Sequence, residues 1–161
     1  MTAKTRELLL TVGKVCYSKK APGTMGTVAG LIFITIFLKL LHLPQVTLFL
    51  LAIFITVISI KEIDIFEKEK GEHDSKEIVI DEVVGIMFAT SIMGGITYIH
   101  LFLAFVFFRV FDIWKPSYIG WIDKNVKGGL GVMGDDILAG IVAGIVTAIV
   151  GSLFLLILGL K

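Results

Sequence analysis

Two pairs of adjacent carboxylates stand where this sequence turns apolar. Asp135 and Asp136 precede Ile137–Leu160, a run without a charged residue, and Asp81 and Glu82 precede Val83–Phe108, which also carries no formal charge. Directly after the second run comes "RVFDIWKP", with Arg109, Asp112 and Lys115. Each group alone has a plain reading: acids at a helix start cap free amides and suit the helix dipole, and Arg109 with Asp112 makes an i,i+3 ion pair. Together they ask for more. Adjacent carboxylates repel, charge beside lipid is costly, and Arg109 and Lys115 are too few to balance two acidic pairs. A divalent cation supplies the missing charge. All-oxygen ligands favour a hard ion such as Mg²⁺, held by carboxylates with a substrate phosphate completing the shell. Asp81, Glu82, Asp135 and Asp136 are therefore candidate metal ligands, and Asp112 is a further ligand or base. Arg109 and Lys115 are candidate binders of phosphoryl oxygens, and water beside the cation becomes a nucleophile near neutral pH.

A glycine-rich stretch, "APGTMGTVAG", precedes the first apolar run. Gly23, Thr24, Gly26 and Thr27 could cradle an anion at a helix N-terminus. Gly26 and Gly30 also form a GxxxG, which commonly marks close helix packing, and the two readings weigh equally. Gly140 and Gly144 form a second GxxxG, read as packing only. Other chemistries lack their residues. Cys16, the one cysteine, is followed by "YSKKAP", with no arginine of a cysteine-phosphatase loop, and cannot form an internal disulfide. No Walker loop is present. His42, His73 and His100 are scattered, and His100, inside an apolar run, reads as a packed core residue.

The elements that must position these groups are membrane helices. The 161 residues are 56% hydrophobic with mean hydropathy +0.93, which places the chain in the membrane class. The length predicts one domain over 1–161. A net charge of +1 gives no pull toward nucleic acid. The N-terminal stretch lacks a signal-peptide pattern; Leu8, Val12, Val15 and Cys16 at helical spacing predict a short amphipathic helix on the membrane surface. Thr27–Leu43 and Val46–Ile60, separated by Pro44, read as a tight helical hairpin. A hydrophilic loop, Lys61–Glu82, holds nine of the fourteen acidic residues, and a second polar loop runs Arg109–Asp136. Region 83–108 reads either as one helix or as two hinged at Gly94 and Gly95. The distribution of Lys and Arg favours two: five lie in the N-terminal stretch and four in each polar loop, leaving Lys39 and Lys161 for the other side. The expected architecture is an all-α, multi-helix membrane bundle with both polar loops on the cytoplasmic face.

"APGTMGTVAG", "HDSKEIVIDEVVG" and above all "FRVFDIWKPSYIGWIDKNVKGGLGVMGDDILAGIVAGI" resemble bacterial phosphatidylglycerophosphatase A over most of the chain. The resemblance implies an Mg²⁺-dependent lipid phosphatase of the bacterial inner membrane, active at its cytoplasmic face. It would hydrolyse phosphatidylglycerophosphate, a membrane phospholipid, to phosphatidylglycerol and phosphate, the last step of phosphatidylglycerol synthesis. The family motifs fall here on Gly23, Thr24, Gly26 and Thr27, on Asp81, Glu82 and Gly85, on Arg109, Asp112, Lys115 and Pro116, and on Asp135 and Asp136; Asp74 and Asp123 match less closely. Catalysis is expected from Asp81, Asp112 and Asp136. Two rivals are weaker. A CDP-alcohol phosphotransferase normally shows a longer Asp-Gly…Ala-Arg…Gly…Asp…Asp pattern, absent here. An ion transporter predicts acids inside the apolar runs, whereas these lie at the ends. Oligomeric state has no signal in the sequence.

Overall fold

The structure, a computed structural model, describes residues 1–15, 21–71, 75–157 and 159. Among them there is no strand. The helices are α1 (Ala3–Leu10), α2 (Pro22–Thr35), α3 (Gln45–Lys70), α4 (Ile80–Ile92), α5 (Tyr98–Trp114), α6 (Tyr118–Asn125) and α7 (Gly129–Ile157). Ile36–Leu40 extends α2 as a π-helical turn, with the Leu41 amide donating to the Ile36 carbonyl at 3.0 Å. Three segments are long and apolar enough to cross a bilayer: Pro22–Leu40 of 19 residues, Gln45–Lys70 of 26 and Gly129–Ile157 of 29. Their outer faces expose Ile32, Leu50, Phe54, Ile149 and Leu156, apolar surface that calls for a lipid neighbour.

Region 83–108 is two helices. α4 stops at Ile92 and α5 starts at Tyr98, with Gly94 between them at φ +76, a conformation glycine adopts without a side-chain penalty. Thr97 caps α5 by accepting the His100 amide at 3.3 Å. The buried His100 ring packs against Gly95 and Gly151 with Nδ1 2.7 Å from Thr97 Oγ1, a core residue as expected. The hinge returns the chain to the end of the bundle it left, so the polar segments before α4 and after α5 share one end.

α4 is the central element, buried at almost every position and packed against α2, α3, α5 and α7. Its closest neighbour is α7. A β-carbon on Gly140 would strike the Gly85 carbonyl, one on Gly144 would lie 2.7 Å from the Ala89 carbonyl, and one on Gly94 would touch Ala148 Cβ at 3.5 Å. The contacts advance by about one turn on both helices at once, so α4 and α7 run parallel in register. Asp81 lies one turn before Gly85 and Asp136 one turn before Gly140; the glycine contact therefore sets these two acids opposite each other. Three polar ties hold the frame. Asp64 of α3 accepts the Gly129 amide at 2.7 Å and so caps α7 from another helix. The Val79 amide donates to the Leu10 carbonyl at 2.9 Å, fixing the entry to α4. Buried Arg6 bonds Glu62 at 2.9 Å and Glu69 at 2.6 Å, holding α1 on α3.

Four expectations are corrected. α2 and α3 do not form a tight hairpin, because α4 packs between them. Lys61–Lys70 is helical rather than loop, stabilised by the bonds Glu62 and Glu69 make to Arg6. α7 begins at Gly129, so Asp135 and Asp136 lie inside the helix rather than at its start. The helix near the N-terminus ends at Leu10, where Thr11 Oγ1 donates back to Glu7 and Val12 turns to φ +48; Leu8, Val12 and Val15 do not share a helical face, and Cys16 lies outside the described residues. The Gly140–Gly85 contact is testable by thermal unfolding in detergent. Gly140→Val should lower stability by about 1–3 kcal/mol through overpacking. Gly134→Ala, whose methyl meets only Ile122 Cγ2 at 3.3 Å, should change it by less than about 1 kcal/mol.

Candidate active site

The parallel pairing of α4 and α7 gathers three carboxylates: one oxygen each of Asp81, Glu82 and Asp136 lies within 4.8 Å of the others. Asp81 and Glu82 occupy the first turn of α4, where the dipole favours negative charge. Asp81 and Asp136 are buried, and Glu82 Oε2 is enclosed without a hydrogen-bond partner. Asp135 does not join them. Neighbouring residues on a helix point about 100° apart, so while Asp136 faces α4, Asp135 turns to Lys115, whose Nζ lies 2.7 Å from its Oδ2.

Lys115 is a bridge. Its Nζ also pairs with Asp123 of α6. Burial alone would lower its pKa, but the hydrogen bonds to Asp123 and Asp135 outweigh this and raise it above the ordinary lysine value. The backbone turns sharply here: Lys115 at φ 47 and Ser117 at φ 48 flank Pro116, which cannot continue α5. Left-handed conformations cost a non-glycine residue of order 1 kcal/mol or more, and this pair turns the chain into α6, whose Asp123 then meets Lys115.

Arg109 works behind the carboxylates. It pairs with Asp112, as the spacing predicted, and donates to Thr27 Oγ1 at 3.4 Å; Thr27 in turn donates to the Gly23 carbonyl at 2.8 Å. This chain ties α2 to α5 and holds Asp112 in place. A cavity of about 230 Å³ opens among these groups, lined by Gly23, Asp81, Glu82, Asp112, Lys115, Asp123, Asp135 and Asp136.

Not every expected residue reaches that cavity. Gly23–Thr27 is the opening of α2 rather than a loop before it. Pro22 and Gly23 line the cavity, and the helix N-terminus carries no side-chain cap. Gly26 and Gly30 pack against Val79 and Ile86 of the α4 region. Thr24, Thr27 and Arg109 are outside the lining, and Asp74 lies outside the described residues. Sequence reasoning missed Ser75 and Lys76, which also line the cavity. The signal for Lys76 was present: a cation inside the acidic motif "HDSKEIVIDE".

The donor set suits a hard divalent cation. All three clustered groups are carboxylates, Glu82 Oε2 has no hydrogen-bond partner, and Asp112, Glu82 and Asp135 are near enough to Asp136 to repel its charge. Arg109 and Lys115 are engaged by Asp112, Asp123 and Asp135. One further positive charge beside Glu82 and Asp136 relieves the repulsion.

Comparison with known proteins bears on what such a site serves. The Phosphatidylglycerophosphatase A family model matches residues 8–151. A phosphatidylglycerophosphatase A of Escherichia coli K12 is 34% identical over 76% of this chain and 69% of its own length. The Haemophilus influenzae protein of the same name is 38% identical over 78% and 76%. A Bacteroides thetaiotaomicron chain, provisionally named phosphatidylinositol-3-phosphatase, is 34% identical over 83% and 85%. No solved structure matches.

Removing Lys115 leaves buried Asp135 without its cation. Lys115→Met should therefore lower unfolding stability in detergent by about 1–3 kcal/mol. A raised lysine pKa stabilises fully below the unfolded value of about 10.4 and is lost only as pH climbs beyond it. The wild-type-minus-mutant difference should thus be equal at pH 7 and pH 9, measured by chemical denaturation at each.

Proposed function

The chain belongs to the phosphatidylglycerophosphatase A family, and from that membership we propose that it removes the terminal phosphate of phosphatidylglycerophosphate, yielding phosphatidylglycerol and inorganic phosphate, with Mg²⁺ held by Asp81, Glu82 and Asp136. The observation that carries this reading is the convergence of three carboxylates from α4 and α7 beside Lys115 in one cavity. When bound, the cation would polarise the phosphoryl oxygens and make water more acidic. The chain's own residues do the rest. Lys115, held charged by Asp123 and Asp135, neutralises a phosphoryl oxygen as charge builds in the transition state. The uncapped start of α2 at Pro22 and Gly23 offers its positive dipole end to the same phosphate. Asp112, fixed by Arg109, faces the cavity as a base for the attacking water. Water's oxygen bonds to phosphorus and its proton passes to Asp112; the bond to the primary glycerol oxygen breaks, that oxygen takes a proton from solvent and leaves as an alcohol, and Asp112 returns its proton to solvent.

The same reading makes 1–161 one membrane-embedded unit, completing phosphatidylglycerol synthesis at the cytoplasmic face of the bacterial inner membrane. The Lys/Arg distribution supports the orientation, as does the gathering of the polar segments at one end of the bundle. Trp114, Tyr118 and Trp121, all exposed around α6 beside the cavity, have the chemistry of residues that settle at a membrane interface.

Two measurements test this. Purified protein in mixed micelles should release phosphate from phosphatidylglycerophosphate with Mg²⁺ and stop with excess EDTA; Asp81→Asn and Asp136→Asn should each lose about a hundredfold or more in kcat. Faster release from phosphatidylinositol-3-phosphate would assign the site to that lipid instead. Trp114 and Trp121 are the only tryptophans, so native fluorescence in brominated-lipid vesicles reads their depth directly. Bromines near the headgroup should quench more strongly than bromines near the chain ends; the reverse order would bury α6 in the bilayer.

A further inference from the structure

A second concavity lies on the same seam as the catalytic cavity. Where Arg109 of α5 reaches Thr27 of α2 the two helices are joined. One turn farther they part, and an apolar groove of about 480 Å³ opens between Val28, Ile32 and Ile36 on α2 and Tyr98, Phe102 and Phe105 on α5. Thr35, on its wall, has its hydroxyl turned into its own helix, donating to the Leu31 carbonyl at 2.8 Å. At the far end Lys39 Nζ sits 3.3 Å over the Tyr98 ring and closes the seam. The groove is thus apolar along its length and bounded by a cation at each end.

Its length selects the occupant. The lining runs from Phe105 to Tyr98 on α5 and from Val28 to Ile36 on the facing helix, about 11–12 Å at a rise of ~1.5 Å per residue. Half of a ~30 Å hydrocarbon core is ~15 Å. The groove therefore covers about three quarters of the depth of one leaflet, starting one turn beyond the bond between Arg109 and Thr27. We propose that it binds one acyl chain of the lipid whose phosphate enters the cavity, with the glycerol backbone passing Arg109. This inference rests on the lipid-phosphatase reading and deepens it: the enzyme recognises its substrate by chain as well as headgroup.

Ile32 and Phe102 are exposed, so substitution there leaves the core untouched. The test compares the diacyl substrate in mixed micelles with its deacylated, water-soluble headgroup. Ile32→Trp should raise KM for the diacyl lipid about tenfold, the equivalent of leaving roughly two methylenes unburied, with kcat retained and turnover of the headgroup unchanged. Leu153→Trp, on the exposed face of α7 outside the groove, should behave as wild type. An unchanged KM in Ile32→Trp would overturn the proposal. So would an equal rise in Leu153→Trp, which would mean that any bilayer lipid occupies the face, or an equal loss on both substrates. Wild-type protein inactive on both substrates would instead overturn the phosphatase reading itself.

Discussion

The close approach of α4 and α7 governs everything else in the molecule. Gly85 and Gly140 touch so tightly that a β-carbon on Gly140 would meet backbone, and nothing larger than hydrogen fits there. Because the helices run parallel in register, this one contact decides what lies a turn away on each. On α4 that is Asp81 with Glu82; on α7 it is Asp136. A cluster of carboxylates is an unfavourable thing to assemble, and helices packed through bulky side chains would hold these acids too far apart to share a cation. The remaining ties serve the same geometry: Asp64 caps the first residue of α7, the Leu10 carbonyl fixes the approach to α4, and Phe108 packs against Gly85 from the third side.

Charge is distributed around that contact in two layers. Arg109 with Asp112, and Lys115 between Asp123 and Asp135, form pairs whose partners hold each other in position. The inner layer of Asp81, Glu82 and Asp136 is carboxylate only and could hold a metal ion. The outer pairs brace the elements that carry the inner oxygens.

Much of this was legible from the sequence. The acidic pairs, the cations at Arg109 and Lys115 and the packing role of Gly140 and Gly144 follow from residue type and local spacing, and the Lys/Arg distribution favoured the break near Gly94 over one long helix. What escaped was set by contacts between distant segments. α7 starts at Gly129 because Asp64, far away in the chain, supplies its cap; no local pattern near Asp135 announces this. Asp135 and Asp136 look like one pair in the sequence but face different partners once they lie inside a helix. α2 and α3 read as a hairpin because they are adjacent in sequence, yet α4 offers the better apolar surface to both. Lys76 sits among acidic residues in the sequence, and only the fold brings it to the cavity.

The central claim is that Asp81, Glu82 and Asp136 form one divalent-cation site, and manganese titration of the full-length protein in detergent, followed by electron paramagnetic resonance of free Mn²⁺, tests it most directly. Saturable binding should appear in the wild type, disappear in Glu82→Gln and Asp136→Asn, and persist in Asp135→Asn, whose side chain faces Lys115. Absence of saturable binding in folded wild-type protein, or binding lost in Asp135→Asn but intact in Asp136→Asn, would contradict the account.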